Sequence, residues 1–400
     1  MEELLNIAQP AVQYLSNIQS SLLPGTYSTP ESFILLPQDT AHLAEIDRVV
    51  QRHQGSAGVV LFGVGGSSLG ARALIAASSS TVPVWYAETF DPFFLEQLKQ
   101  VIQKSAEEQK HLTYIIASKS GTTLETLINF SAVSDDIKSH DPKWNEHTIV
   151  ITHEESPLAQ YAKKEGIDFV FVPAEVGGRF SVFSATSLIP AALAGIDIQE
   201  LCAGAVEARE TFLSEDLEKN YALAGAAAGY AQMQTGKGIH ALFVEGPVLR
   251  GLTMWWQQLL SESLGKQGVG VTPLPVIGSG DVHTTGQLLL DGPNTFFTSF
   301  LNVEVLPRVS AGNHEFLDSS VAGKDVGDLS HAVMKGIQQA FAVKERPYIS
   351  YSLSDLSPRS LGECLMGFMM QTIFMAKLMD VHAFDQPALE LYKEEIKKLL

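Results

Sequence analysis

A chain of 400 residues exceeds one comfortable hydrophobic core, so two domains of ordinary size are expected. Apolar residues make up 45% and charged residues only 18%, which excludes a disordered chain, and no apolar run reaches membrane-spanning length. The net charge of −18 argues against nucleic acid or an anionic membrane as partner, so any anionic substrate must be captured by a local site against the overall field.

In chain order, Met1–Gln9 lacks the basic start and apolar core of a signal peptide, so the chain is expected to stay in the cytoplasm. AGVVLF (Ala57–Phe62) reads as a strand running into a glycine-rich turn and the helical stretch LGARALIAA. PVWYAE (Pro83–Glu88) is a second strand, and LTYIIA (Leu112–Ala117) leads into the hydroxyl-rich loop SKSGTTLET and a helix from about Thr123 to Val133. HTIVIT (His147–Thr152) and IDFVFVP (Ile167–Pro173) are further short strands rich in β-branched residues. The pattern then restarts. Leu188–Leu201 and Glu207–Gln234 read as helices, IHALFVEG (Ile239–Gly246) as a strand and Val248–Leu264 as a long helix. FLNVEVLP and RPYISYSLS read as later strands, followed by helices Leu361–Leu378 and Leu389–Leu399. Continuous apolar strands alternating with helices predict mainly parallel sheets covered on both faces. Two α/β domains are therefore expected, over 30–195 and 215–400. Cys202 and Cys364 are far apart in apolar helical patterns, which predicts buried free thiols in a reducing compartment.

The loop SKSGTTLET carries the clearest chemistry. Where a strand's carboxyl end meets a helix start, backbone N–H groups lack partners and the helix dipole favours an anion. Ser118, Ser120, Thr122, Thr123 and Thr126 supply neutral donors, and Gly121 lets the backbone approach closely. The alternative is plain helix capping, since Thr122-x-x-Glu125 fits a capping box. GVGGSSLG (Gly63–Gly70) lacks the Walker lysine and fails the dinucleotide fingerprint at Ser68, but Gly66-Ser67-Ser68-Leu69-Gly70 satisfies the G-x-S-x-G elbow of a serine hydrolase. In GGRFS, Arg179 could clamp an oxyanion or be an ordinary surface arginine. Gln258 and Glu262 stand four apart on a helical face otherwise made of large apolar groups, where a carboxylate is a candidate general base or an ordinary helix glutamate. His283 reads as a residue of a polar loop, and Lys393 as one of several lysines in the last helix.

Together GVGGSSLGARAL, SKSGTTLET, GGRFSVFSA, QLLSESLGK, GDVHTTGQLLLDGP and ALELYK resemble, in order, the active-site motifs of the glucose-6-phosphate isomerase family in its bacterial form. The resemblance runs from about residue 58 to the end. It implies two sugar-isomerase (SIS) domains, each an α/β/α sandwich, and the reversible isomerisation of glucose 6-phosphate and fructose 6-phosphate, a step of glycolysis and gluconeogenesis. It implies that Ser118, Ser120 and Thr123, with the Lys119 backbone and Thr126, bind phosphate, and that Gly66, Ser67 and Gln258 lie along the sugar. Glu262 would move a proton between C2 and C1 through a cis-enediol, Arg179 would stabilise that intermediate, and His283 and Lys393 would assist ring opening. No metal or organic cofactor is implied; a homodimer with shared active sites is. The chain is shorter than the larger relatives of that family. Remaining alternatives are a bifunctional enzyme that also takes mannose 6-phosphate, a serine hydrolase, and a non-catalytic sugar-phosphate sensor.

Overall fold

The computed structural model describes residues 2–22, 26–78, 80 and 82–399. Helices α1 (Glu2–Ser21) and α2 (Thr40–Arg52) precede an alternation of β1 (Val59–Phe62), α3 (Leu69–Ala77), β2 (Val84–Ala87), α4 (Pro92–Glu107), β3 (Thr113–Ala117), α5 (Leu124–His140), β4 (Thr148–Thr152), α6 (Pro157–Glu165), β5 (Asp168–Phe171) and α7 (Ala185–Leu193). After α8 (Ile198–Phe212) and α9 (Tyr221–Gln234) come β6 (Ile239–Val244), α10 (Arg250–Leu264), β7 (Thr272–Ile277), α11 (Gly278–Asp291), β8 (Phe296–Val303), α12 (Val326–Val343), β9 (Tyr348–Leu353), α13 (Pro358–Leu378) and α14 (Ala388–Leu399). The chain forms two compact units, Ser16–Glu210 and Met1–Leu15 with Thr211–Leu400.

In Ser16–Glu210 a five-stranded sheet has the order β2-β1-β3-β4-β5, every pair parallel. The reason lies in the strands' composition. Every residue of β1, β3 and β4 is buried. Val60, Phe62, Tyr114, Ile116 and Val150 point into a core with Leu98, Ile102, Phe130, Val133 and Ile137 of α4 and α5. Their alternates Val59, Leu61, Ile115, Ile149 and Ile151 are equally buried on the other face. A parallel sheet tolerates such two-sided apolar strands because its crossover helices cover both faces. Each of these large side chains contributes about 1.5–3 kcal/mol by leaving water.

The second unit repeats the plan with four parallel strands in the order β7-β6-β8-β9. Phe243, Phe300, Met334 and Phe341 centre one core cluster. His240 on β6 lies in the sheet's interior, 3% exposed, with its Nε2 2.7 Å from Ser299 Oγ and its ring edge-on to Trp256. Cys202 and Cys364 are buried free thiols, and burial pushes the Cys202 thiol up to about 12.

Several details differ from the sequence reading. The stretches read as helices Leu188–Leu201 and Glu207–Gln234 are three helices, α7, α8 and α9, broken at 194–197 and 213–220. Strand β7, TPLPVI, was hidden by two prolines. It is an edge strand in which Thr272 donates to Gly238 O at 2.8 Å, so the N-H-less Pro273 and Pro275 face the open side. Strand β8 starts at Phe296, four residues before FLNVEVLP, and EVLP lies beyond its end. The segment around His283 is helix α11 and no loop. Its glycines and threonines are poor helix formers, but Asp281 accepts Ile277 N at 2.7 Å, and Thr284 and Thr285 fold their hydroxyls onto Asp281 O. Val282 and Leu289 then pack against the core, and that tertiary contact overrides propensity.

Candidate active site

In the first unit the chain leaves β1 towards β2 on one side and reaches β3 on the other, so the strand order reverses between β1 and β3. In open α/β sheets ligands bind at the carboxyl ends of the strands flanking such a switch point. The two motifs singled out by sequence follow those two strands. Gly63–Gly70 leaves β1 and Ser118–Thr126 leaves β3.

The hydroxyl loop is held from within. Ser118 Oγ lies 2.8 Å from Thr123 Oγ1 and accepts Thr123 N at 3.3 Å. Ser120 Oγ accepts from the backbone and the hydroxyl of Thr122, at 3.2 and 2.9 Å. Gly121 takes φ +67°, a left-handed turn with Ser156 pressed against it. The N-cap of α5 is Thr123, and no side chain caps it. The alternative reading, a Thr122–Glu125 capping box, is therefore not formed, and the first-turn N–H groups lack intrahelical partners. Thr126 is fully buried in that first turn, and its hydroxyl has no hydrogen-bond partner. The Lys119 side chain turns away and donates to Val176 O at 2.9 Å; burial holds its ammonium below the usual lysine range, offset in part by Glu175.

That carbonyl belongs to the segment leading to GGRFS, which packs on the glycine turn. Gly66 lies so close to Gly178 that a Cβ there would overlap its backbone, and Ser181 Oγ reaches Gly66 O at 3.3 Å. Ser67, Lys119, Val176, Gly178 and Ser181 line a narrow cleft of about 20 Å³. Arg179, carried by the turn Gly178–Phe180, is 3% exposed, which rules out the surface-arginine reading. A buried guanidinium requires polar or aromatic company, and its centre lies 5.7 Å from the Phe180 ring centroid. The central serine of the G-x-S-x-G pattern is Ser68. It is fully buried, with its Oγ on Gly65 O at 3.3 Å, so it does not stand out as an elbow nucleophile.

In the second unit, Trp255, Trp256, Leu259 and Leu260 bury one side of α10. Gln258 and Glu262 stay half-buried beside it, and Gln258 Nε2 donates to Glu262 Oε1 at 2.8 Å. Glu262 opens on a cavity of about 540 Å³. Its opposite wall is Asp385–Leu389, the approach to α14 and its first residues. Lys393 lies on α14, paired with Glu390 at 2.7 Å. His283 is exposed on α11 and is not among the residues lining that cavity. Sequence reasoning passed over Lys266, Asp385 and Gln386, which share the cavity with Glu262. The available signals were a lysine directly after the helix-ending Leu264-Gly265 and the turn-prone FDQP.

A phosphoglucose isomerase family profile matches residues 51–295. Over 376 residues, covering 91% of this chain and 89% of the relative, the sequence is 34% identical to a glucose-6-phosphate isomerase of Thermus thermophilus. This chain belongs to the phosphoglucose isomerase family. Two solved structures agree in fold. A hypothetical protein from Thermus thermophilus superposes with TM-score 0.91 at 32% identity, covering 98% of this chain and 95% of that one. A glucose-6-phosphate isomerase from Chlamydia trachomatis superposes with TM-score 0.80 at 20% identity, over 96% of this chain and 77% of the other. Among the described residues no helix is long and apolar enough to cross a membrane.

Proposed function

We propose that this protein interconverts glucose 6-phosphate and fructose 6-phosphate. One observation carries the reading. A chain so similar to an enzyme of that name has an uncapped, hydroxyl-ringed helix start at a sheet's switch point.

Ser118, Ser120 and Thr123, with the Lys119 N–H, bind the phosphate, and the α5 dipole favours its charge. Gly66, Ser67 and Gln258 lie along the sugar. Glu262 takes the proton from C2 and returns it to C1, with the electron pair held as a cis-enediol between the two transfers. Arg179 stabilises the negative charge that develops on the enediol oxygen, where a guanidinium in a dry setting acts most strongly. His283 and Lys393 exchange a proton with the ring oxygen and the anomeric hydroxyl during opening. The active form is a homodimer, with His283 given across the subunit contact; its exposure on α11 leaves it available. The cytoplasm suits the two free thiols.

The test is a coupled assay on fructose 6-phosphate without added metal, run beside Glu262→Gln. Isomerisation and solvent-proton exchange at C1 or C2 should both be present in the native protein and vanish in the variant. Turnover of mannose 6-phosphate in parallel would extend the reading to a bifunctional enzyme. Absence of any turnover, with tight sugar-phosphate binding, would replace it by a sensor.

A further inference from the structure

The geometry points to Lys266 as a positioning residue that sets the place of Lys393 relative to Glu262. This rests on the reading of Glu262 and Lys393 as members of one isomerase site. Two residues after Glu262, the chain leaves α10 and is fixed at once. Gly265 N donates to Ser261 O at 3.1 Å, and Lys266 and Val269 exchange backbone hydrogen bonds of 3.0 and 2.8 Å around a tight turn. Gln267 and Gly268 hold that turn at φ 54° and 78°. Lys266 is thus a rigid extension of the wall that carries Glu262.

Its side chain crosses to the other wall. The ammonium donates to His382 O and to Asp385 Oδ1, the latter at 2.6 Å, and the side chain is only 8% exposed. Both acceptors lie just before α14, which buries none of its own side chains. A helix with so little packing takes its position from the segment that delivers it. Leu389, in its first turn, lines the cavity shared with Glu262, and Lys393 stands four residues on, on the same helical face. The buried lysine therefore ties the wall that carries Glu262 to the segment that delivers α14, and through that helix sets the place of Lys393.

Losing the ammonium should cost little in folding. A methionine keeps most of the stem, and Asp385, 52% exposed, can turn to water. It should cost much in turnover, because a displacement of about 1 Å at a reacting group lowers rates by roughly 100-fold. We would measure kcat and KM for Lys266→Met, Lys266→Arg, Lys393→Ala and the double variant Lys266→Met/Lys393→Ala, with melting temperatures for each. The expected result is a kcat lowered about 30- to 100-fold in Lys266→Met with KM changed less than about threefold, and most of the loss recovered in Lys266→Arg. Adding Lys266→Met to Lys393→Ala should cost less than about twofold more, since the lysine it positions is already gone. If Lys266→Met does not fold, Asp385→Asn, which weakens one arm of the tether, takes its place in the same cycle. Unchanged kcat, or losses that multiply in the double variant, overturns the tether. A native protein without isomerase activity, or one indifferent to Glu262→Gln, overturns instead the reading on which the tether rests.

Discussion

Gly66→Ala isolates the contact between the glycine turn and the GGRFS turn. A Cβ at Gly66 would overlap the carbonyl carbon and oxygen of Gly178, both backbone atoms that no rotamer change can move aside. Carbon atoms in good contact sit about 3.5–4.0 Å apart, so the turns must separate by roughly 1 Å or more. Overpacking of this kind costs about 1–3 kcal/mol. For a unit of this size that lowers its melting temperature by roughly 2–12 °C. The functional loss should be larger. Ser67, next in sequence, and Arg179, next to Gly178, move with the two turns, and a misplacement near 1 Å lowers turnover by about 100-fold. The assay is a thermal scan together with kcat and KM on fructose 6-phosphate. Gly336→Ala serves as control, because that glycine lies in α12 with nothing within 4 Å of an added Cβ. The control should melt no lower than the native protein. Native melting temperature and native kcat/KM in Gly66→Ala would refute both the close approach and its bearing on the site.

How much of this was legible in the sequence depended on how local its cause was. Strands β1, β3 and β4 could be read directly, because two-sided burial leaves a continuous apolar run. Strand β7 could not, because its prolines are permitted only by an edge position that the pairing of other strands creates. Helix α11 was missed for a related reason: its side-chain bonds and its packing offset a run of glycine and threonine that propensity would leave as a loop. At the site, hydroxyl chemistry and spacing marked Ser118–Thr126, but that α5 starts uncapped depends on the folded geometry of the loop. Arg179 was ambiguous because burial of a single arginine has no local signature. Lys266 and Asp385 are 119 residues apart in sequence, and no periodicity announces such a pair.

The remaining predictions address the chemistry and the acid limb of stability. Glu262→Gln keeps shape and hydrogen bonding but removes the base, so kcat should collapse while KM holds; persistent proton exchange at C1 or C2 would assign the base elsewhere. Ser118→Ala and Thr123→Val should each weaken glucose 6-phosphate by about one to two decades, from roughly 1.5–3 kcal/mol per charged hydrogen bond. Free glucose should be affected far less, and equal weakening of both ligands in calorimetry would deny the loop its phosphate. Mixing inactive Glu262→Gln chains with inactive His283→Ala chains should regain activity in one site of each heterodimer if the histidine acts in trans; no recovery despite proven subunit exchange would sink the shared site. His240 sets a pH dependence whose sign follows from its setting. Desolvation in the interior of the second sheet lowers its pKa from 6.5 to about 3, so the unfolded chain takes up a proton that the native state refuses. Its contribution is complete above pH 6.5 and is lost as the pH falls from 6.5 towards about 3, at a slope of at most about 1.4 kcal/mol per pH unit. His240→Gln keeps a polar partner for Ser299 but cannot titrate, so its stability should fall less steeply than the native protein's between about pH 4 and 6. His42, His53 and His111 are also held below their ordinary values by burial, and since they are common to both proteins the difference between the two slopes isolates His240. Identical slopes in urea titrations across that range would show that the ring either takes up its proton in place or is already shielded in the unfolded chain.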